Sequence, residues 1–142
     1  MDIHSILSDD RWGKKKKPDA GDLNKPYHHQ RPTISEIPDV FFDEVLLKFK
    51  LNRVQILILM YLYRAVWTKA NIYKKHGISP ILSYSKIGEN TEIPLEEIYA
   101  ALRKLEQLSL IHTLRPGQYF VRKYFLKEFD DRYGQTYDDF EI

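Results

Sequence analysis

Apolar residues recur with helical spacing over two long stretches of this chain. The first runs from Val54 to about Trp67 and carries one apolar stripe formed by Val54, Leu57, Ile58, Tyr61, Leu62 and Ala65. A second stripe lies on roughly the opposite side and contains Ile56, Leu59, Met60 and Tyr63. A helix that is apolar on all sides must be covered all round. Either the preceding helix and the C-terminal segment cover the second stripe, or a second subunit does, which makes this stripe a candidate homodimer interface.

The second stretch runs from Leu82 to Ile111 and predicts two helices separated by a turn. Ser83 is a candidate N-cap, because its hydroxyl can accept a hydrogen bond from a free amide of the first turn. Residues 90–92 interrupt the pattern, and the second helix then carries an inward face made of Leu95, Ile98, Leu102 and Leu105. A hairpin about Pro116-Gly117 follows, since Pro and Gly suit the middle of a type II turn.

This order predicts a mainly α fold with a small β-hairpin, a winged helix-turn-helix, whose second helix usually docks against DNA. Before it, Asp39 is a candidate N-cap for a short helix, and Asn52 with Gln55 matches a capping box. The polar stretch from Thr68 to Ser79 predicts a surface loop. A last helix is expected to end at Gly134.

The chain divides into three parts by composition: a flexible basic arm over residues 1–33, the winged-helix domain over residues 34–134, and an acidic tail over residues 135–142. The arm contains three prolines and the run Lys14, Lys15, Lys16 and Lys17. It is either an unstructured terminus or a peptide that folds onto a partner protein or onto a second copy of the chain.

Composition excludes several classes of protein. The 142 residues suit one domain, and the absence of cysteine excludes disulfides and thiolate metal sites. No apolar run reaches the roughly 20 residues that span a bilayer, and no signal peptide is recognisable, so a cytoplasmic protein is expected. The five histidines have no metal-ligand spacing, and no nucleotide-binding or nucleophile motif occurs. We therefore expect neither an enzyme nor a bound metal or cofactor.

The net charge of +2 is unevenly distributed. Residues 1–33 carry seven basic and five acidic side chains, residues 34–78 carry seven and four, and residues 79–142 carry eight and eleven. The half that would read DNA is therefore the acidic half, although phosphate neutralisation normally supplies much of a duplex binder's affinity.

Residues from about Ile34 to Ile111 resemble the N-terminal winged-helix domain of phage replication protein O and its DnaD-like relatives. The similarity rests on Ile37-Pro38-Asp39, the long apolar helix, the basic loop, the segment 82–89 and the segment 98–111. It implies DNA binding in transcriptional regulation or replication initiation. Two positions depart from the family pattern: Glu92 replaces a turn glycine, and Pro94-Leu95-Glu96 replaces a frequent Ser-Arg-Arg.

With Ile98 pointing inward, helical geometry directs Glu96, Ala100, Arg103 and Gln107 outward. The predicted contacts to duplex DNA come from this helix, from the hairpin and from the arm: Lys14, Lys15, Lys16, Lys17, Lys86, Tyr99, Arg103, Lys104, Arg115, Arg122 and Lys123. The alternative is a protein-interaction module that has lost DNA binding. Its partner would meet Glu92, Glu96, Glu97 and Tyr99, with Tyr119, Tyr124 and Phe125 as further aromatic candidates.

Overall fold

The computed structural model describes residues 32–134, which are mainly helical with one two-stranded antiparallel hairpin. Helix α1 joins a π-helical segment, Phe41–Val45, to an α-helical one, Leu46–Phe49. Helix α2 spans Arg53–Tyr63, helix α3 Tyr84–Thr91 and helix α4 Leu95–Gln107. Strands β1 and β2 span Ile111–Arg115 and Gln118–Val121, and the short helix α5 spans Asp130–Tyr133. This order is compatible with a winged-helix layout.

The start of α2 confirms the predicted capping box. The Asn52 side chain accepts a hydrogen bond from the Gln55 amide at 2.8 Å, and the Gln55 side chain accepts one from the Asn52 amide at 3.0 Å. Beyond Tyr63 the helix continues as a π-helical turn, Arg64–Thr68. The side chain of Asp39 makes no such cap on α1, where its carbonyl oxygen accepts from the amides of Phe42 and Asp43 instead.

The second apolar stripe of α2 is covered within the chain. Leu59 and Tyr63 are buried, and the Tyr63 ring stacks on Phe125 with 4.7 Å between ring centroids. Phe41 of α1 lies 5.2 Å from the same Phe125 ring. The assignment of Leu59 and Tyr63 to a dimer interface is therefore wrong, because α1 and the segment after β2 already exclude water from them. Ile56 and Met60 are half-buried against the same core.

Helix α3 begins as predicted, with the Ser83 hydroxyl accepting from the Lys86 amide at 3.2 Å. It ends at Thr91, and the C-cap residue Glu92 adopts the left-handed conformation with φ 59° and ψ 35°. A residue with a Cβ atom is disfavoured there by about 1 kcal/mol relative to glycine. The turn between α3 and α4 thus carries a mild backbone strain at Glu92.

We expect Glu92→Gly to raise the free energy of unfolding by about 0.5–1 kcal/mol, because glycine adopts this conformation without the Cβ penalty. The matched control is Glu89→Gly inside α3, where glycine should lower the free energy of unfolding by about 1 kcal/mol. Urea denaturation followed by circular dichroism measures both. Equal destabilisation by the two substitutions would show that Glu92 is not held in the left-handed region.

Helix α4 buries one face and exposes the other, as predicted, with one exception. Ile98, Leu102 and Leu105 are buried in the core, whereas Leu95 is 42% exposed. The prediction that Leu95 points inward is wrong, because Ile93 in the preceding turn is buried against the core instead. The inward face of α4 therefore starts at Ile98.

A third extended segment lies beside the hairpin. The Val121 amide donates to the Gly77 carbonyl at 2.9 Å, the Ser79 amide to Tyr119 at 2.9 Å, and the Leu82 amide to Gly117 at 2.7 Å. Gly77, Ile78 and Ser79 are consequently buried, although the sequence predicted a surface loop as far as Ser79. The hairpin turn itself agrees with the prediction, since Gly117 has φ +86°.

Candidate nucleic-acid interface

Tyr84 connects the three elements that would form a binding face. Its hydroxyl accepts a hydrogen bond from the Gly117 amide at 3.1 Å and lies 2.7 Å from the Tyr119 hydroxyl. Its ring meets Tyr99 edge-on with 5.2 Å between centroids. The start of α3, the hairpin turn and α4 are thereby held side by side. Sequence reasoning did not select Tyr84, because its partners lie far away along the chain and no local pattern predicts them.

Tyr119 is the buried end of this connection. Burial raises the pKa of its hydroxyl well above the ordinary value for tyrosine, and the hydrogen bond with Tyr84 raises it further. The hydroxyl therefore stays protonated at physiological pH. Tyr119 and Phe125 were candidates for an exposed aromatic patch, and both assignments are wrong because both rings are buried. Tyr124 is half-buried and packs against Tyr133 with 4.5 Å between centroids.

The outward side of α4 is exposed as predicted. Glu96, Ala100, Arg103 and Gln107 are all exposed, and Tyr99 beside them is 40% exposed. On the flanks, Glu97 and Lys104 are also exposed, while Glu106 accepts a hydrogen bond from the Thr113 hydroxyl at 2.9 Å. Glu96 and Glu97 occupy the first turn of α4, where the helix dipole favours carboxylates. This surface is therefore acidic at its start and basic one to two turns later.

Arg115 stands at the hairpin turn. Its Nε donates at 2.8 Å to Oε1 of Gln118, a buried side chain that in turn donates through Nε2 to the Ser79 carbonyl at 2.9 Å. The side chain of Arg115 is exposed but anchored at one atom. Lys86 at the start of α3 is exposed and lies 3.7 Å from Glu89, an ion pair of the weak surface type. Both cations are accessible to a phosphate.

Arg122 was predicted to contact DNA, and its surroundings assign it a structural role instead. Its Nε lies 2.8 and 2.9 Å from the two carboxylate oxygens of Asp130, and its Nη1 donates to the Ser109 carbonyl at 2.9 Å. The guanidinium also lies over the Phe120 ring, 5.2 Å from the centroid. With 13% of its side chain exposed, Arg122 ties the end of β2 to the α4–β1 turn and to α5.

Lys123 also lies apart from Arg115. In the hairpin register Val121 faces Ile111, whereas Gln118 faces Arg115, so Lys123 and Arg115 lie beyond opposite ends of β2. The Nζ atom of Lys123 lies 5.8 Å from the centroid of the Trp67 ring near the end of α2. The structure therefore gathers Tyr99, Arg103 and Lys104 on α4, with Arg115 at the adjacent turn, and separates Arg122 and Lys123 from them.

Several predictions lie outside the described residues. These are the flexible arm with Lys14–Lys17 and its proposed partner contacts, and the acidic tail 135–142. Within residues 32–134 no three His, Asp or Glu side chains are grouped so as to hold a metal ion. In that same range no helix has the length and apolar character that crossing a membrane requires.

The chain was compared with known proteins at three levels. No model of a protein family matches it, and neither the curated proteins nor the solved structures contain a significant match.

Proposed function

We propose that this protein binds duplex DNA as a winged helix-turn-helix domain, in transcriptional regulation or replication initiation. The observation that carries the proposal is the Tyr84 connection, because it places the exposed face of α4 next to the hairpin turn. A helix and an adjoining turn presented together can contact the major groove and the flanking backbone at once. The resemblance of segments 82–89 and 98–111 to phage replication proteins supports the same role.

In this arrangement the second and third turns of α4 face the bases. Arg103 and Gln107 supply side chains that recognise base edges, and Tyr99 adds apolar contact. Lys86, Lys104 and Arg115 are positioned for phosphates. Arg122 is not included, because its guanidinium already has a carboxylate partner. The carboxylates of Glu96 and Glu97 repel phosphate. The acidic first turn therefore lowers the affinity for DNA and increases the discrimination between binding partners.

A salt titration of duplex binding tests the proposal. The double substitution Arg103→Gln, Lys104→Gln should flatten the dependence of log K on log salt by about 0.9, since Lys104 loses one phosphate contact. It should also weaken binding further because Arg103 no longer recognises a base edge. The opposite change, Glu96→Gln with Glu97→Gln, should tighten binding severalfold because it removes repulsion. The matched control is Lys48→Gln with Arg53→Gln, two exposed cations on α1 and α2 that are not part of the proposed interface.

Equal slopes for the α4 variant and its control would contradict the placement of α4 on DNA. No binding of the unaltered protein to any duplex at low salt would refute the function itself.

A second candidate function keeps the fold without DNA. The observation that favours it is the exposure of Leu95 next to Tyr99, one helical turn apart and bordered by Glu92, Glu96 and Glu97. Such a mixed apolar and acidic surface suits a basic, amphipathic protein partner. Under this hypothesis Glu96→Lys with Glu97→Lys abolishes capture of that partner, whereas the substitution Arg103→Gln with Lys104→Gln leaves capture intact.

A further inference from the structure

The basic residues of the domain are segregated along the chain. Between Glu44 and Glu89 there is no Asp or Glu, whereas eight basic side chains occur there: Lys48, Lys50, Arg53, Arg64, Lys69, Lys74, Lys75 and Lys86. In a chain with 20 acidic residues among 142, so long a stretch leaves the cations of its interior, from Arg53 to Lys75, without a neighbouring carboxylate in sequence. The question is whether the fold brings these cations together.

Four of them, Arg64, Lys69, Lys74 and Lys75, follow the end of α2 within one short segment of the chain. The Lys69 amide donates to the Arg64 carbonyl at 3.1 Å, and the Gly77 amide donates to the Lys74 carbonyl at 2.9 Å, closing two turns. Between them the Asn71 side chain donates to the carbonyls of Val66 at 3.2 Å and Ile78 at 2.7 Å. These bonds hold the loop against the domain. Its lysines are therefore presented from a defined backbone and not from a loose linker.

We define the basic pole as Arg64, Lys69, Lys74 and Lys75, all of which are exposed. Within residues 32–134, no ion pair involves Arg64, Lys69, Lys74 or Lys75. The Ser35 hydroxyl lies 3.2 Å from that of Thr68, and this contact brings one acidic residue, the adjacent Glu36, towards this end of the domain. The basic pole thus carries a clear excess of positive charge.

The basic pole is separate from the face built on Tyr84. Gly77, at the end of the loop, pairs with Val121, whereas Leu82 pairs with Gly117 at the hairpin turn. Gly77 and Leu82 are five positions apart in an extended segment, which corresponds to about 16 Å. The cations of the basic pole and those near the hairpin turn therefore belong to two surfaces.

We propose that the basic pole binds the phosphate backbone of nucleic acid without reading its bases, and that one molecule thereby holds two duplex segments. Lysine ammonium groups suit this role, since they neutralise phosphates as point charges and release condensed counterions. A defined loop lowers the entropy lost on binding. Binding at the pole stands by itself, whereas the holding of a second duplex rests on the proposed function of α4.

The test compares the unaltered full chain with two variants on a 20-base-pair duplex of arbitrary sequence. The pole variant is Lys69→Gln, Lys74→Gln, Lys75→Gln; the control, with the same change in net charge, is Lys48→Gln, Arg53→Gln, Lys127→Gln. In the pole variant, the slope of log K against log salt should be smaller in magnitude by about 2.7. Its affinity for the duplex at 0.1 M salt should be at least about tenfold lower. Sedimentation with excess duplex should show two duplexes on the unaltered protein and one on the pole variant.

Each alternative outcome is decisive. Equal slopes for the pole and control variants would overturn the proposal, and a single bound duplex on the unaltered protein would overturn the bridging.

Ile72 is 86% exposed within the basic loop, as a membrane-inserting residue would be. Binding to vesicles of anionic lipid that is lost in Ile72→Ser, without binding to duplex, would therefore assign the pole to membranes. If the pole variant weakens and Arg103→Gln with Lys104→Gln changes nothing, the proposed role of α4 fails while the basic pole stands.

Discussion

Gly117→Ala should lower the free energy of unfolding by about 3 kcal/mol. The residue has φ +86°, which costs an alanine about 1–2 kcal/mol. In addition, a Cβ atom at this position would lie 2.6 Å from the backbone carbonyl oxygen of Leu82, too close for a non-bonded carbon–oxygen contact. Moving the two segments apart weakens the hydrogen bonds from Leu82 to Gly117 and from Gly117 to Tyr84, each worth about 1 kcal/mol.

Gly134→Ala is the matched control, because it separates the cost of the backbone angle from that of the close approach. Gly134 has φ +65°, and no atom lies within 4 Å of where its Cβ would be. We expect this substitution to cost about 1 kcal/mol. Urea denaturation monitored by circular dichroism at a common temperature compares the two variants. Equal losses would show that the hairpin turn does not pack against the start of α3 as closely as the structure indicates.

Asp130→Asn should lower the free energy of unfolding by about 2–3 kcal/mol. The carboxylate accepts both close contacts from the Arg122 guanidinium, and the two side chains are only 13% and 22% exposed. Removing one partner of a largely buried pair leaves a charge without compensation, which typically costs 3–5 kcal/mol when burial is complete. The partial exposure of this pair places the expected loss at or below the lower end of that range.

The control for this substitution is the adjacent Asp131→Asn, an exposed aspartate that should change stability by less than about 0.5 kcal/mol. A double-mutant cycle with Arg122→Met isolates the interaction between the two charges. Arg122→Met should destabilise the fold and leave the salt slope of duplex binding unchanged, because Arg122 ties β2 to the α4–β1 turn and to α5. A smaller salt slope of duplex binding in a folded Arg122→Met variant would show that Arg122 contacts DNA.

Local sequence rules predicted several elements correctly, and each depends on residues close together in the chain. Asn52 and Gln55 cap α2 reciprocally because they stand three positions apart. Ser83 caps α3 for the same kind of reason. The outward positions of α4, among them Arg103, follow from its 3.6-residue period once Ile98 is buried.

Errors arose where the neighbour of a side chain is distant in sequence. The spacing of Leu59 and Tyr63 made them candidates for contact with a second subunit, but Phe41 and Phe125 cover this part of α2. Leu95 has the spacing of an inward residue, but Ile93 is buried at that end of the helix. Periodicity states which residues share a face and says nothing about what covers that face.

The sequence by itself thus determined where helices α2 to α4 and the hairpin turn occur, since capping, periodicity and turn preference act over three or four residues. Only the tertiary structure decided how the charges are used. Arg122 meets its carboxylate partner across a turn and a change of element. Tyr84 holds the hairpin turn beside α4. The loop after α2, which carries several lysines, is held at the other end of β2. Such contacts follow from the packing of the core, which composition and spacing do not specify.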